Sequence, residues 1–279
     1  MSKRRDIEQH VQQLSDMREI MESMKALAYM EAHKLGQFLD AQHQSVQTIE
    51  TVAADFLSFY PELLVHEAQS AKVYLLIGSE RGFCGDFNET LLRDLPNDTE
   101  AVVIAVGHKL HNLLAAESPN LQLVDGANVA EEVGTVLMAI VNALAALQRE
   151  RGLVSITAIF HREAGKSVCS RTLLPPFPQR PKAEPDHVLG YPPQLNLPPA
   201  QFFSALVDRY LFTSLNEILY TSLMHESNSR VQHLAAAVKH LEDKTVVLKQ
   251  HSRTMRQEEI TEEIEVILLS AGEPKTLML

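Results

Sequence analysis

The sequence predicts an α/β protein in which two long terminal helices form an antiparallel coiled coil beside a central Rossmann-like α/β domain. Three observations predict this fold. Both ends of the 279-residue chain carry long apolar stripes at helical spacing, almost free of proline and glycine. The middle alternates short apolar runs with helical patterns, which is typical of a largely parallel sheet. A proline-rich segment separates this middle part from the C-terminal stripe.

The N-terminal segment, residues 1–60, is predicted to be one helix. It contains no proline and a single glycine, Gly36. Apolar side chains recur at steps of three and four, which places them on one face of a helix. A periodic pattern longer than about 25 residues without internal caps indicates a coiled coil. The stripe consists of Ile7, Val11, Leu14, Met17, Met21, Met24, Ala28, Leu35, Phe38, Ile49, Val52 and Phe56.

The central segment, residues 70–175, is predicted to be the α/β domain. Glycines end the first two apolar runs, as expected where strands end in turns. The last two strands are separated by a short turn around residues 163–165, so we expect them to form an antiparallel hairpin. Strands are predicted at residues 73–77, 101–106, 153–160 and 168–174, and helices at residues 109–116 and 129–151.

The last part of the chain is predicted to be an extended connector, residues 176–199, followed by a second long helix, residues 200–272. The density of prolines in the connector is incompatible with a regular helix. The helix has no internal proline or glycine before Gly272, a natural helix stop. Its near-heptad seam consists of Val231, Leu234, Val238, Leu241, Thr245, Leu248, Ser252 and Met255. Beyond this seam the apolar positions shift to Ile260, Ile264, Ile267 and Leu268. Antiparallel pairing of the two ends would bury both stripes.

Composition excludes several classes of function. The net charge is −11 and the pI about 5.5, which argues against a nucleic-acid-binding protein. The two cysteines, Cys84 and Cys169, cannot staple a chain of this length, which favours a reduced, cytoplasmic setting. No uninterrupted apolar run approaches the roughly 20 residues of a membrane span, so we expect no direct span.

A glycine-rich loop at residues 77–88 follows the first predicted strand, where a nucleotide-binding loop would lie. A P-loop requires GxxxxGK followed by Ser or Thr, but here Gly85 is followed by Asp86, whose charge would repel phosphate. The GxGxxG dinucleotide fingerprint is also absent. We therefore interpret the loop as a tight turn at an interface and Cys84 as a buried or interface cysteine.

The remaining polar clusters predict no chemistry. His108 and His111 supply too few ligands for zinc, which takes three or four. The acidic cluster near the C-terminus is interpreted as a solvated helix face; it consists of Glu258, Glu259, Glu262, Glu263 and Glu265. We expect no catalytic, metal-binding or cofactor-binding residues.

Several segments together resemble signatures of the γ subunit of F-type (rotary) ATP synthases. Residues 20–28 are similar to the family's N-terminal signature helix, with Met24 on its methionine. The loop at residues 77–88 and residues 256–264 are similar to two further family motifs. The matching positions in these and in the preceding part of the C-terminal helix are Arg81, Gly82, Cys84, Gly85, Asn88, Glu226, Arg230, Arg256 and Gln257. The order and spacing of the segments make the resemblance specific.

The resemblance implies a non-catalytic central-stalk subunit that couples ion flow through the membrane rotor to ATP synthesis or hydrolysis. The implied partners are the α and β subunits of the catalytic ring, the ε subunit and the c-subunit ring. The implied location is peripheral, on the cytoplasmic face of a bacterial inner membrane, and no cofactor is implied. The residues expected to contact the β subunit are Met24, Arg81, Cys84, Asn88, Glu226, Arg230, Arg256 and Gln257.

The chain departs from the family pattern in several places. It is acidic where relatives are commonly basic, and Asp86, Arg253 and Glu258 stand where the family has other residue types. We expect a divergent branch, such as an alternate F-type ATPase with matched partners. Two other functions remain open from the residues alone. A free-standing coiled-coil adaptor would share the long helices, and a Rossmann-type enzyme would share the α/β middle but should bind NAD or ATP.

Overall fold

The computed structural model describes residues 3–64, 71–115, 120–152, 154–163, 167–177 and 191–271. The helices are α1 (Lys3–Phe59), α2 (Phe87–Arg93), α3 (His108–Leu114), α4 (Val133–Arg151) and α5 (Pro199–Ala271). The strands are β1 (Ala71–Ile77), β2 (Val102–Val106), β3 (Leu121–Val124), β4 (Val154–Glu163) and β5 (Ser167–Leu174). The chain divides into a terminal unit, Met1–Ala26 with Gln232–Leu279, and a central unit, Leu27–Val231.

The central unit contains a five-stranded sheet in the order β3-β2-β1-β4-β5. β1 pairs in parallel with both β2 and β4, and β2 pairs in parallel with β3. β4 and β5 are antiparallel, as the sequence predicts for the last two strands. The predicted α/β class with a largely parallel sheet is confirmed. Residues 164–166, where the sequence predicts the turn between β4 and β5, lie outside the described residues, as does Gly272, the predicted helix stop.

Two short elements are absent from the sequence prediction. β3 has four residues and only Val124 is fully buried, so its apolar signal is weak. α2 has only seven residues and directly follows the glycine-rich loop, so its sequence is too short to show a helical period. The predicted segment boundaries at residues 60, 70, 175 and 199 stay predictions, and residues 178–190 of the connector are not among those described.

Helices cover both faces of the sheet in the central unit. On one face, α2 and α3 pack against Leu76, Val103 and Ile159 through side chains such as Leu91 and Leu110. The opposite face carries the larger core, to which α1, α4 and α5 all contribute; it includes Leu35, Val73, Leu75, Ile104, Val136, Ile140, Leu215, Ile218 and Leu219. The central strands β1 and β2 are therefore buried on both sides, which explains their continuous apolar runs.

The stretch Ala130–Arg151 is long and apolar enough, by length and composition, to cross a membrane. It is the only described helix that passes this test. It contains no uninterrupted apolar run of spanning length, because polar residues such as Glu132 and Asn142 interrupt it. Its inward side chains pack in the larger core of the central unit; they are Val133, Val136, Leu137, Ile140 and Leu147. A core helix of an α/β domain has the same composition, and these contacts give α4 that role.

In the terminal unit, the beginning of α1 and the end of α5 run antiparallel. Arg4 Nε lies 3.2 Å from Glu259 Oε2, and Arg18 Nη1 lies 3.5 Å from Glu242 Oε1. As the residue number rises along α1, the number of the partner on α5 falls. These ion pairs are largely solvated, so each contributes at most about 1 kcal/mol. The buried apolar seam provides most of the stability of the pair.

The seam of the terminal unit follows the predicted spacing on α5 but not throughout α1. Of the α5 positions predicted for the seam in the terminal unit, Leu234 and Val238 are buried, and Leu241, Thr245, Leu248, Ser252 and Met255 are half-buried. On α1, the prediction that Met17 belongs to the stripe is wrong, because Met17 is 52% exposed and Arg18 occupies the seam position. The seam passes through Leu14, Arg18 and Met21, which matches a 3.5-residue repeat.

The central unit also pairs the two long helices. Gln42 Oε1 accepts a hydrogen bond of 3.0 Å from Asn216 Nδ2, and the rings of Phe38 and Tyr220 stack with centroids 5.9 Å apart. Phe38 nevertheless remains 42% exposed, and Val52, predicted in the same stripe, is 41% exposed, so this part of the stripe is only partly covered. Near the end of α1, the two helices pack together through a separate apolar cluster, which contains Ala53, Phe56, Leu57, Phe177, Leu206 and Tyr210.

Candidate functional site

The loop between β1 and α2, residues 78–86, is closed at its base by Asn88. The Ser79 amide donates a 3.0 Å hydrogen bond to Asn88 Oδ1, and Asn88 Nδ2 donates a 2.8 Å hydrogen bond to Ser79 Oγ. Both side chains are buried. This reciprocal pair connects the end of β1 to α2 and fixes the width of the loop.

The second part of the site comes from α5. Glu226 and Arg230 lie one helical turn apart and form an ion pair whose side chains are only 5% and 8% exposed. The backbone amides of Glu80 and Arg81 act to lower the pKa of the Glu226 carboxyl, against the larger effect of burial. Arg230 Nε donates a 3.2 Å hydrogen bond to the carbonyl oxygen of Gly82. We call this arrangement of residues 78–86 with Glu226 and Arg230 the loop–α5 site.

Cys84 lies inside the loop–α5 site. Its Sγ atom lies 3.5 Å from the Arg81 carbonyl oxygen and 3.4 Å from that of Gly82, and Arg230 Nη2 approaches it within 3.5 Å. Burial, with the negative charge of Glu226, raises the pKa of the Cys84 thiol to about 12. The thiol therefore stays protonated at neutral pH, and a protonated thiol is a poor nucleophile. Cys84 serves in the packing of the loop.

Burial raises the pKa of the Glu226 carboxyl to about 7, although the Arg230 guanidinium and the loop amides oppose that rise. The ordinary value is 4.5. Because the folded-state pKa exceeds the unfolded one, the contribution of this carboxyl to stability is fully present below the unfolded pKa. It is lost as the pH rises through about 7.

Replacing Glu226 by glutamine should make the stability of the chain less dependent on pH between about 4.5 and 7, because the proton-linked loss disappears. Urea unfolding of the wild type and of Glu226→Gln, followed by far-ultraviolet circular dichroism across this range, measures the effect. An equally steep decline in both proteins would show that other groups govern the pH dependence.

The structure places the eight predicted contact residues in two groups. Cys84, Asn88, Glu226 and Arg230 are buried together in the loop–α5 site of the central unit. Of the other four, Arg81 has an exposed side chain at the same loop, whereas Met24 is half-buried on α1 of the terminal unit. Arg256 and Gln257 are exposed on α5 of the terminal unit.

A second polar cluster has no counterpart in the sequence prediction. Glu217 on α5 is 5% exposed at its side chain and accepts a 2.6 Å hydrogen bond from Arg171 Nη1, and His43 Nδ1 lies 2.5 Å from its other carboxylate oxygen. The cluster lines an open cleft and joins α1, β5 and α5. The available signal was a carboxylate immediately before the apolar pair Ile218 and Leu219. Among the described residues, no group of three or more metal-ligating side chains could hold an ion.

Over residues 3–272 the sequence matches the family model described as ATP synthase. The chain belongs to the gamma-subunit family of ATP synthases. ATP synthase gamma chains of Clostridium botulinum strains, among them Hall, are 20% identical over 276 residues, with 94% of this chain and 95% of theirs covered. The gamma chain of Mycolicibacterium gilvum is 22% identical over 248 residues, with 76% and 77% covered.

Solved structures show the same fold. A chain of the Euglena gracilis mitochondrial ATP synthase, from an OSCP/F1/c-ring structure, superposes with a TM-score of 0.65 at 15% identity and 99% coverage of both chains. A chain from the central stalk and c-ring of the Tetrahymena thermophila enzyme gives 0.58 at 18% identity, covering 78% of this chain and 99% of that one. The family resemblance inferred from the motifs is thus confirmed. As a gamma subunit, the chain is a central-stalk component of a membrane-associated F-type ATP synthase.

Proposed function

We propose that this chain is the rotating shaft of its ATP synthase and has no catalytic site of its own. Its task is to make different contacts with each surrounding subunit as it turns. At a given angle, the rod favours one conformation of the subunit that it contacts. Because such coupling is reciprocal, a change in the conformation of that subunit exerts torque on the rod. The observation that carries the proposal is family membership over residues 3–272, combined with polar side chains left exposed at the matched motif positions.

The proposed contacts with the catalytic β subunits involve Arg81, Arg256 and Gln257, whose side chains are exposed. Arginine suits this role because charge-assisted hydrogen bonds depend steeply on alignment, so they form at one angle and break at another. The buried residues Cys84, Asn88, Glu226 and Arg230 would support the same contact by holding the loop that presents Arg81.

Exposed apolar side chains at the end of α5 are consistent with a ring of partner subunits around this end of the shaft. Beyond the seam, α5 exposes a run of large apolar side chains, each between 46% and 76% exposed: Ile260, Ile264, Val266, Ile267, Leu268 and Leu269. Exposed apolar patches of this kind mark interaction surfaces. We propose that the α and β subunits enclose this end, and that the ε subunit and the c-subunit ring bind elsewhere on the chain.

The solved relatives come from F1/c-ring and rotor assemblies, which supports the c-ring as a partner. We further propose that the complex lies on the cytoplasmic face of a bacterial inner membrane. The acidic charge and the substitutions at Asp86, Arg253 and Glu258 support a divergent enzyme with its own matched ring.

Co-purification of the chain with the α and β subunits of its own organism tests the proposed function. We expect one copy per three αβ pairs, the stoichiometry implied by the family, and steady ATP hydrolysis that depends on the chain. Assembly failure, with a stable and self-associating chain, would favour a coiled-coil adaptor instead. Saturable binding of ATP or NAD to the isolated chain would favour the enzyme alternative.

Met24→Lys is expected to reduce coupling between ATP hydrolysis and ion pumping in the assembled complex. Met24 is half-buried, and its uncharged, flexible side chain lets a neighbouring surface slide past. A lysine at this position could form an ion pair that must break in each rotation. Ion pumping per ATP hydrolysed, compared between Met24→Lys and the control Met24→Leu, measures the effect. Equal coupling in both variants would argue against a contact at Met24.

A further inference from the structure

Phe83, in the loop of the loop–α5 site, has a backbone conformation that few side chains tolerate. Its φ angle is 65°, in the left-handed region, and the only other described non-glycine residue with a positive φ is Phe177, at 55°. Bulky residues are outliers in this region because their Cβ atom crowds the following carbonyl oxygen, whereas glycine and asparagine adopt it more readily. A phenylalanine at this position therefore indicates that its ring makes a contact that offsets the strain.

The ring of Phe177 makes such a contact within the chain. Phe177 is 6% exposed and belongs to the apolar cluster near the end of α1, where the centroids of its ring and of the Tyr210 ring are 4.6 Å apart. Phe83 has almost the same φ angle, yet it is 46% exposed and belongs to none of the apolar clusters. The burial that offsets the strain at Phe177 is thus missing at Phe83 in the isolated chain.

The loop that carries Phe83 is fixed from two sides. On the side of the sheet, Glu80 Oε2 accepts a 2.8 Å hydrogen bond from the Gly126 amide. On the side of α5, Arg230 Nε donates a 3.2 Å hydrogen bond to the carbonyl oxygen of Gly82, directly before Phe83. A side chain on a loop that is already ordered binds a partner at a lower entropic cost than one on a mobile loop.

We infer that Phe83 is an apolar anchor that enters an apolar pocket of a β subunit in the assembled enzyme. Phe83 lies two residues from Arg81, which is exposed on the same loop, and aromatic residues and arginine are the types enriched in interfaces. A few such residues carry most of the binding energy of an interface. The inference rests on the proposed function, in which the β subunit is the partner of Arg81.

Phe83→Asn separates the strain from the contact. Asparagine tolerates the left-handed region, so the unfolding temperature of the full chain should be at least that of the wild type. Binding to the ring of α and β subunits should nevertheless weaken at least about tenfold, as expected for the loss of an anchor. Isotope-labelled wild-type chain and the variant, in equal excess over the ring subunits, compete until the ratio of incorporated chains is constant, and mass spectrometry gives this ratio.

Phe83→Leu is the matched control. Leucine keeps a bulky apolar side chain, so it retains the strain and part of the contact. This variant should compete with the wild type better than Phe83→Asn does. The inference is overturned if Phe83→Asn competes as well as the wild type or as well as Phe83→Leu. A lower unfolding temperature in Phe83→Asn would also overturn it, because the ring would then contribute to the fold of the isolated chain.

A photo-crosslinking side chain identifies the partner. The full chain with p-benzoyl-phenylalanine at residue 83, assembled with the α and β subunits and illuminated, should form an adduct with the β subunit. An adduct with the α subunit alone, or none in a complex that assembles normally, would overturn the inference but leave the proposed function intact. Failure of the wild-type chain to assemble with the ring would overturn the proposed function, and this inference with it.

Discussion

Replacing Arg230 by methionine is expected to lower the free energy of unfolding of the full chain by about 3–5 kcal/mol at alkaline pH, the cost of leaving a buried charge unpaired. Arg230 is the buried cation that faces Glu226, and its Nε also binds the Gly82 carbonyl oxygen. Methionine fills much of the space but supplies neither interaction. The chain contains no tryptophan, so far-ultraviolet circular dichroism in urea is the suitable measurement.

The loss in Arg230→Met should shrink as the pH falls from alkaline values through the raised pKa of Glu226 in the variant. Burial already raises the pKa of the Glu226 carboxyl to about 7, and removal of its cation raises that pKa further. In acid the carboxyl is neutral in the variant, so no unpaired charge remains. A loss that is the same in acid and in alkali would indicate that packing, rather than charge, dominates at Arg230.

The double variant Glu226→Met with Arg230→Met separates the ion pair from the loop contacts. Replacing both members of a buried pair by apolar residues often recovers stability. Here the recovery should be partial, because the Gly82 carbonyl oxygen loses the hydrogen bond from Arg230 Nε, and leaving a buried polar group unpaired costs about 1–3 kcal/mol. Full recovery would show that water satisfies this carbonyl oxygen.

The long elements of the fold could be predicted from sequence because their signals extend over many turns. α1 and α5 contain no internal proline, and β1 and β2 contain continuous apolar runs. β3 and α2 could not be found, because four to seven residues with few buried positions give no clear period. Met17 was placed in the seam because three- and four-residue steps alone do not fix where a 3.5-residue repeat continues.

In the candidate site, too, some features could be predicted from the sequence and others depend on long-range contacts. Glu226 and Arg230 could be singled out by family resemblance, but their partners in the loop are more than 140 residues away, and only the fold brings them together. Burial distinguishes Asn88, which holds the loop, from Arg81, which is exposed on it. The cluster of Glu217 with His43 and Arg171 joins three separate elements, so no local pattern could predict it.

Gly78→Ala is the other substitution with a large expected effect. A methyl group at Gly78 would lie 2.4 Å from Leu110 Cβ and 2.9 Å from Asn88 Oδ1. Leu110 is fully buried on α3, so it cannot move aside without displacing the helix, and Asn88 would lose its bond to Ser79. Overpacking of a core typically costs about 1–3 kcal/mol, and the lost hydrogen bonds add to this. The unfolding midpoint in urea measures the loss.

Gly134→Ala provides the control for that substitution. Gly134 lies in the first turn of α4, and a methyl group there would meet no atom within 4 Å. Alanine at a helical glycine stabilises by about 0.4–1 kcal/mol where there is space. We therefore expect changes of opposite sign in the free energy of unfolding at Gly78 and Gly134.

In the assembled complex, Gly78→Ala should also weaken ATP hydrolysis, because the loop that presents Arg81 begins at this residue. Wild-type stability in Gly78→Ala would mean that α3 and the loop separate more easily than their contacts indicate.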